Sequence, residues 1–270
     1  MYFKRKIDDF LLNWKEDISH KPLIIKGARQ IGKTESILHF AGNVYANIVY
    51  INFVLDKRFR AIVSDGYDVD TVIKNISLVD PNLKFVPGET VIIFDEIQEY
   101  PDVATCLKSF NIDRRFDIIC SGSMLGINYK KIHSNSVGNK TDYEMYSMDF
   151  EEFLWAVGDE ITADTIKLLL KSKKSAGNAM HRNLMRMFRL YMLIGGMPQA
   201  VEAYLEHNNP KGDKINPIEV KSGNYRGHKS LDVFCDKYSS RIRDKYVVHT
   251  KDYKWENGIH YLPVYMIPFL

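Results

Sequence analysis

The sequence predicts an α/β fold: a parallel sheet covered by helices, then a helical segment and a small α+β remnant. Strand-like runs that are apolar throughout (PLIIKG, NIVYINF, VIIFDE, FDIICSG) alternate with segments of helical periodicity up to about residue 150. Strands apolar on both faces belong to a sheet buried between two helix layers. From Met148 the strand signal stops and helical spacing runs on to YLEH, after which short strand-like pieces return. The expected boundaries are 1–150 for the α/β domain, 151–207 for the helical segment and 208–270 for the remnant.

In chain order, residues 7–15 form an amphipathic helix, and 22–27 a buried strand stopped by glycine. A helix follows from Thr34, then a strand over 47–53, a helix over 69–79, a third strand over 91–96, a helix over 102–112 and a fourth strand over 116–122. MDFEEFLWAV, 148–157, opens the helical part, and the Asn, Pro and Gly of 207–217 break it. IEVKS, KYVVHT and IHYLPVY read as strands around one helix, 230–242.

At 270 residues and 45% hydrophobic content the chain can build a sizeable core, and a net charge of +3 neither demands nor excludes nucleic acid. Cys106, Cys120 and Cys235 show no zinc or disulfide spacing, which fits a reducing cytoplasm. No run approaches the roughly 20 apolar residues of a membrane span, so the expected protein is soluble and cytoplasmic, with no membrane partner.

GARQIGKT, Gly27–Thr34, fits GxxxxGK[ST] directly after the first strand and at the start of a helix, the context a phosphate-binding P-loop needs. Glycines let backbone N–H groups approach phosphates, and the helix N-terminus adds positive potential. The expected ATP-binding set is Gly27, Ala28, Arg29, Gln30, Ile31, Gly32, Lys33, Thr34 and Glu35. Within it, Lys33 reaches the β- and γ-phosphates as a catalytic cation, and the Thr34 hydroxyl ligates Mg²⁺. VIIFDE ends a strand with two acids: Asp95 is the second metal residue, and Glu96 is placed to orient or deprotonate the attacking water. FDIICSGS brings Ser121 and Ser123 to the next strand end, where Ser123 is a candidate to touch the γ-phosphate or the water; a plain strand-to-loop turn accounts for these serines equally well.

GARQIGKT, DEIQ (95–98), SGSMLG (121–126), MDFEEFLWA (148–156), GGMP (195–198) and PIEVKSG (217–223) together resemble a family of prokaryotic AAA-type ATPases with a C-terminal domain of unknown function. The resemblance spans nearly the whole chain. It implies an AAA-type P-loop NTPase core, ATP and Mg²⁺ as ligands, and a nuclease-like C-terminal strand. Two departures stand out. Relatives carry Gly-Arg where this chain reads Gly138, Asn139, Lys140, which leaves Arg29, Arg114 or Arg115 as substitutes for a charge-stabilising arginine. The segment before PIEVKSG is shortened, and Asp213 lies too close to Glu219 to supply the first acid of a nuclease site, so Glu219 and Lys221 are expected to face solvent on a structural strand.

Three weaker signals remain. Arg182, Arg186 and Arg189 share one helix face, either a solvated face or a phosphate-tracking stripe. His181 and His260 have no partner at ligand spacing. The acids of MDFEEFLWA read as a helix-start preference for negative charge. The expected activity is Mg²⁺-dependent ATP hydrolysis coupled to movement of the helical segment. The alternatives are a nucleotide-gated switch for a protein or DNA client and, less favoured, a residual metal-dependent nuclease.

Overall fold

The computed structural model describes residues 1–123, 138–207, 217–220, 229–237, 242, 244–263 and 266. The chain divides into two compact units, Met1–Glu202 and Ala203–Leu270.

In the first unit, helix α1 (Lys6–Glu16) precedes strand β1 (Leu23–Gly27), followed by α2 (Lys33–Val44), β2 (Asn47–Asn52), α3 (Val69–Val79) and β3 (Thr90–Asp95). Helix α4 (Leu107–Asp113), β4 (Asp117–Ser123) and β5 (Thr141–Glu144) complete the α/β part. The five strands pair in parallel in the order β2-β3-β4-β1-β5. Alternate residues along each strand go to opposite faces. Leu23, Ile25, Val91, Ile93 and Ile119 pack with Ile7 and Leu11 of α1 and Ile37 and Phe40 of α2. Ile24, Ile92, Phe94, Ile118 and Cys120 pack with Val72 and Ile76 of α3 and Leu107 and Phe110 of α4. The central strands β1, β3 and β4 are thus buried from both sides, as their apolar runs require, and each fully buried Ile or Phe contributes about 1.5–3 kcal/mol.

Two elements of this unit depart from the sequence reading. Residues 102–112 split into a 3₁₀ turn, Pro101–Thr105, with the proline in the first turn where its missing N–H is tolerated, and α4. Strand β5 was not expected; TDYE is short and polar, and it pairs along the free edge of β1 from Leu23↔Thr141 to Lys26↔Glu144.

The helical part of this unit holds α5 (Phe150–Ala156), α6 (Glu160–Ser172), α7 (Gly177–Ile194) and the start of α8 (Pro198–His207). A narrow seam of Leu154, Ala163 and Met187 joins α5, α6 and α7. Asp149 caps α5 by accepting from the Glu152 amide, while the Glu152 carboxylate accepts from the Asp149 amide.

The second unit holds β6 (Ile218–Val220), α9 (Lys229–Lys237), β7 (Lys245–His249), β8 (Lys254–Glu256) and β9 (Ile259–Pro263). Its sheet runs β6-β7-β9-β8, with β6, β7 and β9 parallel and β8 antiparallel to β9. Leu231 and Cys235 of α9 pack on Val247 and Ile259. Glu219 on β6 is half-buried, contrary to the expected solvent-facing position, whereas Lys221 and Asp213 lie outside the described residues. Among the described residues no helix is long and apolar enough to cross a membrane.

Candidate functional site

The strand order sets the site. Because β4 lies between β1 and β3, the carboxyl ends of β1, β4 and β3 stand side by side, where open α/β sheets bind ligands. The chain leaves β1 at Gly27, where a Cβ would sit 2.3 Å from the Met145 carbonyl oxygen, so no larger residue fits without moving backbone. The loop then turns through two left-handed residues, Gln30 (φ 62°) and Gly32 (φ 92°), into α2. Glycine carries the second at no steric cost. No side chain caps the N-terminus of α2, which leaves its first amides for another acceptor.

Lys33 opens α2 and is buried, its ammonium folded over the loop to donate to the Gly27 (3.1 Å) and Ala28 (2.6 Å) carbonyls. Burial pulls its pKa below the ordinary lysine value; Glu96 and Asp95 oppose that, and Arg29 adds to it. Arg5, just before α1, ties the loop to the neighbouring backbone. Its guanidinium donates to the Ile31 carbonyl at 2.8 Å and to the Tyr146 carbonyl at 2.7 Å, and its Nε lies 3.1 Å from Glu152 Oε1.

Asp95 is the hub opposite the loop and is 2% exposed. Its Oδ2 accepts from the Thr34 hydroxyl (3.1 Å), the Tyr50 hydroxyl (2.7 Å) and the Asn52 amide (3.0 Å). Its Oδ1 accepts from the Ser121 hydroxyl and from the Glu96 amide at 3.1 Å. Burial, helped by the bond to Asp95, pushes the Tyr50 phenol up to about 12, so it stays a donor. Thr34 gives its proton to Asp95 and so turns its oxygen lone pairs outward. A hydroxyl and a carboxylate are the hard oxygen donors that suit Mg²⁺, which one or two protein groups and substrate phosphates hold rather than a protein cage. Among the described residues no cluster of three or more His, Cys, Asp or Glu forms another metal site.

Glu96 follows in a left-handed conformation (φ 58°, ψ 47°), rare for a residue with a side chain. Its Oε2 accepts from the Gln98 amide, whose oxygen accepts from the Ser123 N–H at 3.1 Å. Glu96 borders a cleft of about 520 Å³, within the usual range for small-ligand sites, and Gln98 and Ser123 stand behind it. Arg29, Gln30, Gly32, Lys33, Thr34, Glu35 and Glu96 line the cleft together with Tyr2, Arg5, Pro198 and Gln199.

The expected residues gather at the carboxyl ends of β1, β3 and β4, but Gly27, Ala28, Ile31, Asp95 and Ser123 do not line the cleft. Ile31 contributes its carbonyl to Arg5 while its side chain is in the core, and Ala28 contributes a carbonyl to Lys33. At the tip of β4 it is the Ser121 hydroxyl that reaches Asp95, while Ser123 is buried and bonded through its amide to Gln98. Of the substitute arginines only Arg29 borders the cleft. Arg114 bonds the Ile18 carbonyl and Arg115 pairs with Asp113 and Asp70, at the opposite end of β4. The acids of MDFEEFLWA are more than a helix-start preference: Glu152 is a 5% exposed partner of Arg5, and Glu151 pairs with Lys6 and Lys167. Sequence reasoning missed Arg5, Tyr50 and Asn52. Asn52, a polar residue closing the β2 run, was the available signal.

The AAA domain family model matches residues 19–154, just over half of the chain. No curated protein matches it. Among solved structures, that of C. elegans PCH-2 is similar with a TM-score of 0.40 and 11% identity, over 76% of this chain and 62% of that one. With its phosphate-loop motif and parallel five-stranded sheet in place, the chain belongs to the AAA domain family and has an AAA-type P-loop ATPase fold.

Proposed function

We propose that the chain binds ATP with Mg²⁺ in this cleft and hydrolyses it. The carrying observation is the Thr34–Asp95 contact of 3.1 Å between the loop-helix junction and the acidic strand end, beside the uncapped N-terminus of α2 and the Lys33 ammonium. In this reading the α2 amides and Lys33 hold the phosphates, and Lys33 exchanges its loop carbonyls for phosphate oxygens. Thr34 and Asp95 hold the metal and its water shell. Mg²⁺, when bound, offsets the charge that develops on the β- and γ-phosphate oxygens. Glu96 accepts a proton from water as the water oxygen bonds to the γ-phosphorus and the bond to the β,γ-bridging oxygen breaks, releasing ADP and phosphate.

The loop connects to the helices through Arg5, which touches Ile31 and Glu152 at once, so a shift of the loop on nucleotide binding is felt at the start of α5. A second reading, a nucleotide-gated switch with little hydrolysis for a protein or DNA client, is favoured by the remote positions of Arg114 and Arg115. Phosphate release separates the two. Hydrolysis requires release by the wild type that disappears in Glu96→Gln while ATP binding persists; binding without release in the wild type selects the switch.

A further inference from the structure

We propose that Gln98 is a positioning residue that holds the Glu96 carboxylate and ties it to the tip of β4. The inference rests on the reading of Glu96 as the group that activates water.

The orientation of the Gln98 amide is fixed by its two partners. The Ser123 backbone N–H can only donate, so it selects Oε1 at 3.1 Å, and this leaves the NH₂ end for Glu96 Oε2, an acceptor when ionised. The backbone keeps the two side chains together. Glu96 turns in the left-handed region, and residues Ile97–Glu99 form a single 3₁₀ turn closed by the Glu99 amide on the Glu96 carbonyl at 3.0 Å. Ile97, 2% exposed, pins that turn in the core. The reversal carries the residue 98 side chain back over residue 96.

A glutamate at the edge of a cleft otherwise samples several rotamers, and a general base works only within hydrogen-bond reach of its proton donor. With Oε2 engaged by Gln98, the other carboxylate oxygen is left to meet water. The amide is also a mechanical link. Ser123 ends β4, the strand between the phosphate loop and the acid, so displacement of the β4 tip drags Gln98 and reaims Glu96.

The test compares Gln98→Ala and Gln98→Glu with wild type and Glu96→Gln. Loss of aim lowers kcat for ATP hydrolysis by about a hundredfold in Gln98→Ala, the cost of roughly 1 Å of misplacement, with KM for ATP unchanged. Gln98→Glu, nearly the same shape, is expected to lose as much at neutral pH because it sets a second carboxylate against Glu96. A readout independent of turnover is the Gln98 side-chain amide NMR signal in the chain without nucleotide: it is expected to move in Glu96→Gln while the backbone spectrum of β4 remains in place. If Gln98→Ala unfolds, Gln98→Glu and this signal decide. Release abolished by Glu96→Gln but kept at wild-type kcat in both Gln98 variants overturns the proposal alone, as does a raised kcat, a change confined to KM, or an unmoved amide signal. Absence of phosphate release from the wild type overturns the reading of Glu96, and the proposal with it.

Discussion

Gly27 shows how one residue type can be dictated by its neighbours. Its missing side chain lets the end of β1 pass against the backbone of Met145, where a methyl group would sit 2.3 Å from a carbonyl oxygen. Gly27→Ala is therefore expected to cost about 3 kcal/mol, the upper end for overpacking, and to weaken ATP binding as the loop shifts. Thermal unfolding and a nucleotide titration check both. The placement of Thr34, Asp95 and Glu96 at the loop-helix junction and the strand end was legible in the sequence because each stands at a fixed offset within a motif. Tyr50 was not, and Asn52 was marked only as a polar residue closing a strand, because what they bond follows from β2 pairing with β3 in a register that sets Asn52 opposite Asp95. Pairing of distant segments leaves no local pattern.

Arg5 and Glu152 join elements that are far apart in sequence: the entry to α1, the loop before α2 and the start of α5. Removing one member of such a buried pair leaves an uncompensated charge. Glu152→Ala is expected to cost about 3–5 kcal/mol, and denaturant unfolding measures it; a loss under about 1 kcal/mol, typical of exposed pairs, contradicts the assignment. At the other end of β4, Asp117 ties α1, α2 and the sheet together by accepting from Lys15 (2.6 Å), Tyr45 (2.7 Å) and His20 Nε2 (2.7 Å). Burial raises its carboxyl pKa, but these bonds outweigh it and hold the group below its ordinary value of 3.8. A depressed carboxyl contributes stability that is complete above the unfolded value and lost as pH falls through the folded one. The stability difference between wild type and Asp117→Asn is thus expected to be about 2 kcal/mol at pH 7 and to shrink below about pH 4; a constant difference across that window contradicts it. The buried strands β1 to β4 were legible from their apolar runs. The edge strand β5 was not, since an edge strand with one free side needs no apolar run and TDYE alternates half-buried and exposed.

At the scale of the whole molecule, the α/β core and the position of the candidate phosphate loop were legible in the sequence, because a motif and its strand-helix context coincide there. The second unit was only partly readable. Its strands β6, β7 and β9 fall where apolar runs mark them, but β8, with three exposed residues, carries no such mark. The stripe of Arg182, Arg186 and Arg189 on α7 is exposed, and among the described residues no carboxylate pairs with it. The central claim concerns the first unit: its loop, lysine and acid form a grip for a triphosphate. Isothermal titration of the wild type and Lys33→Ala with ATP and Mg²⁺ tests it most directly. The account expects a single-site binding heat in the wild type and an affinity at least about tenfold weaker in the variant, a loss of ~1.4 kcal/mol or more; no heat in the wild type, or the same Kd in both, contradicts it.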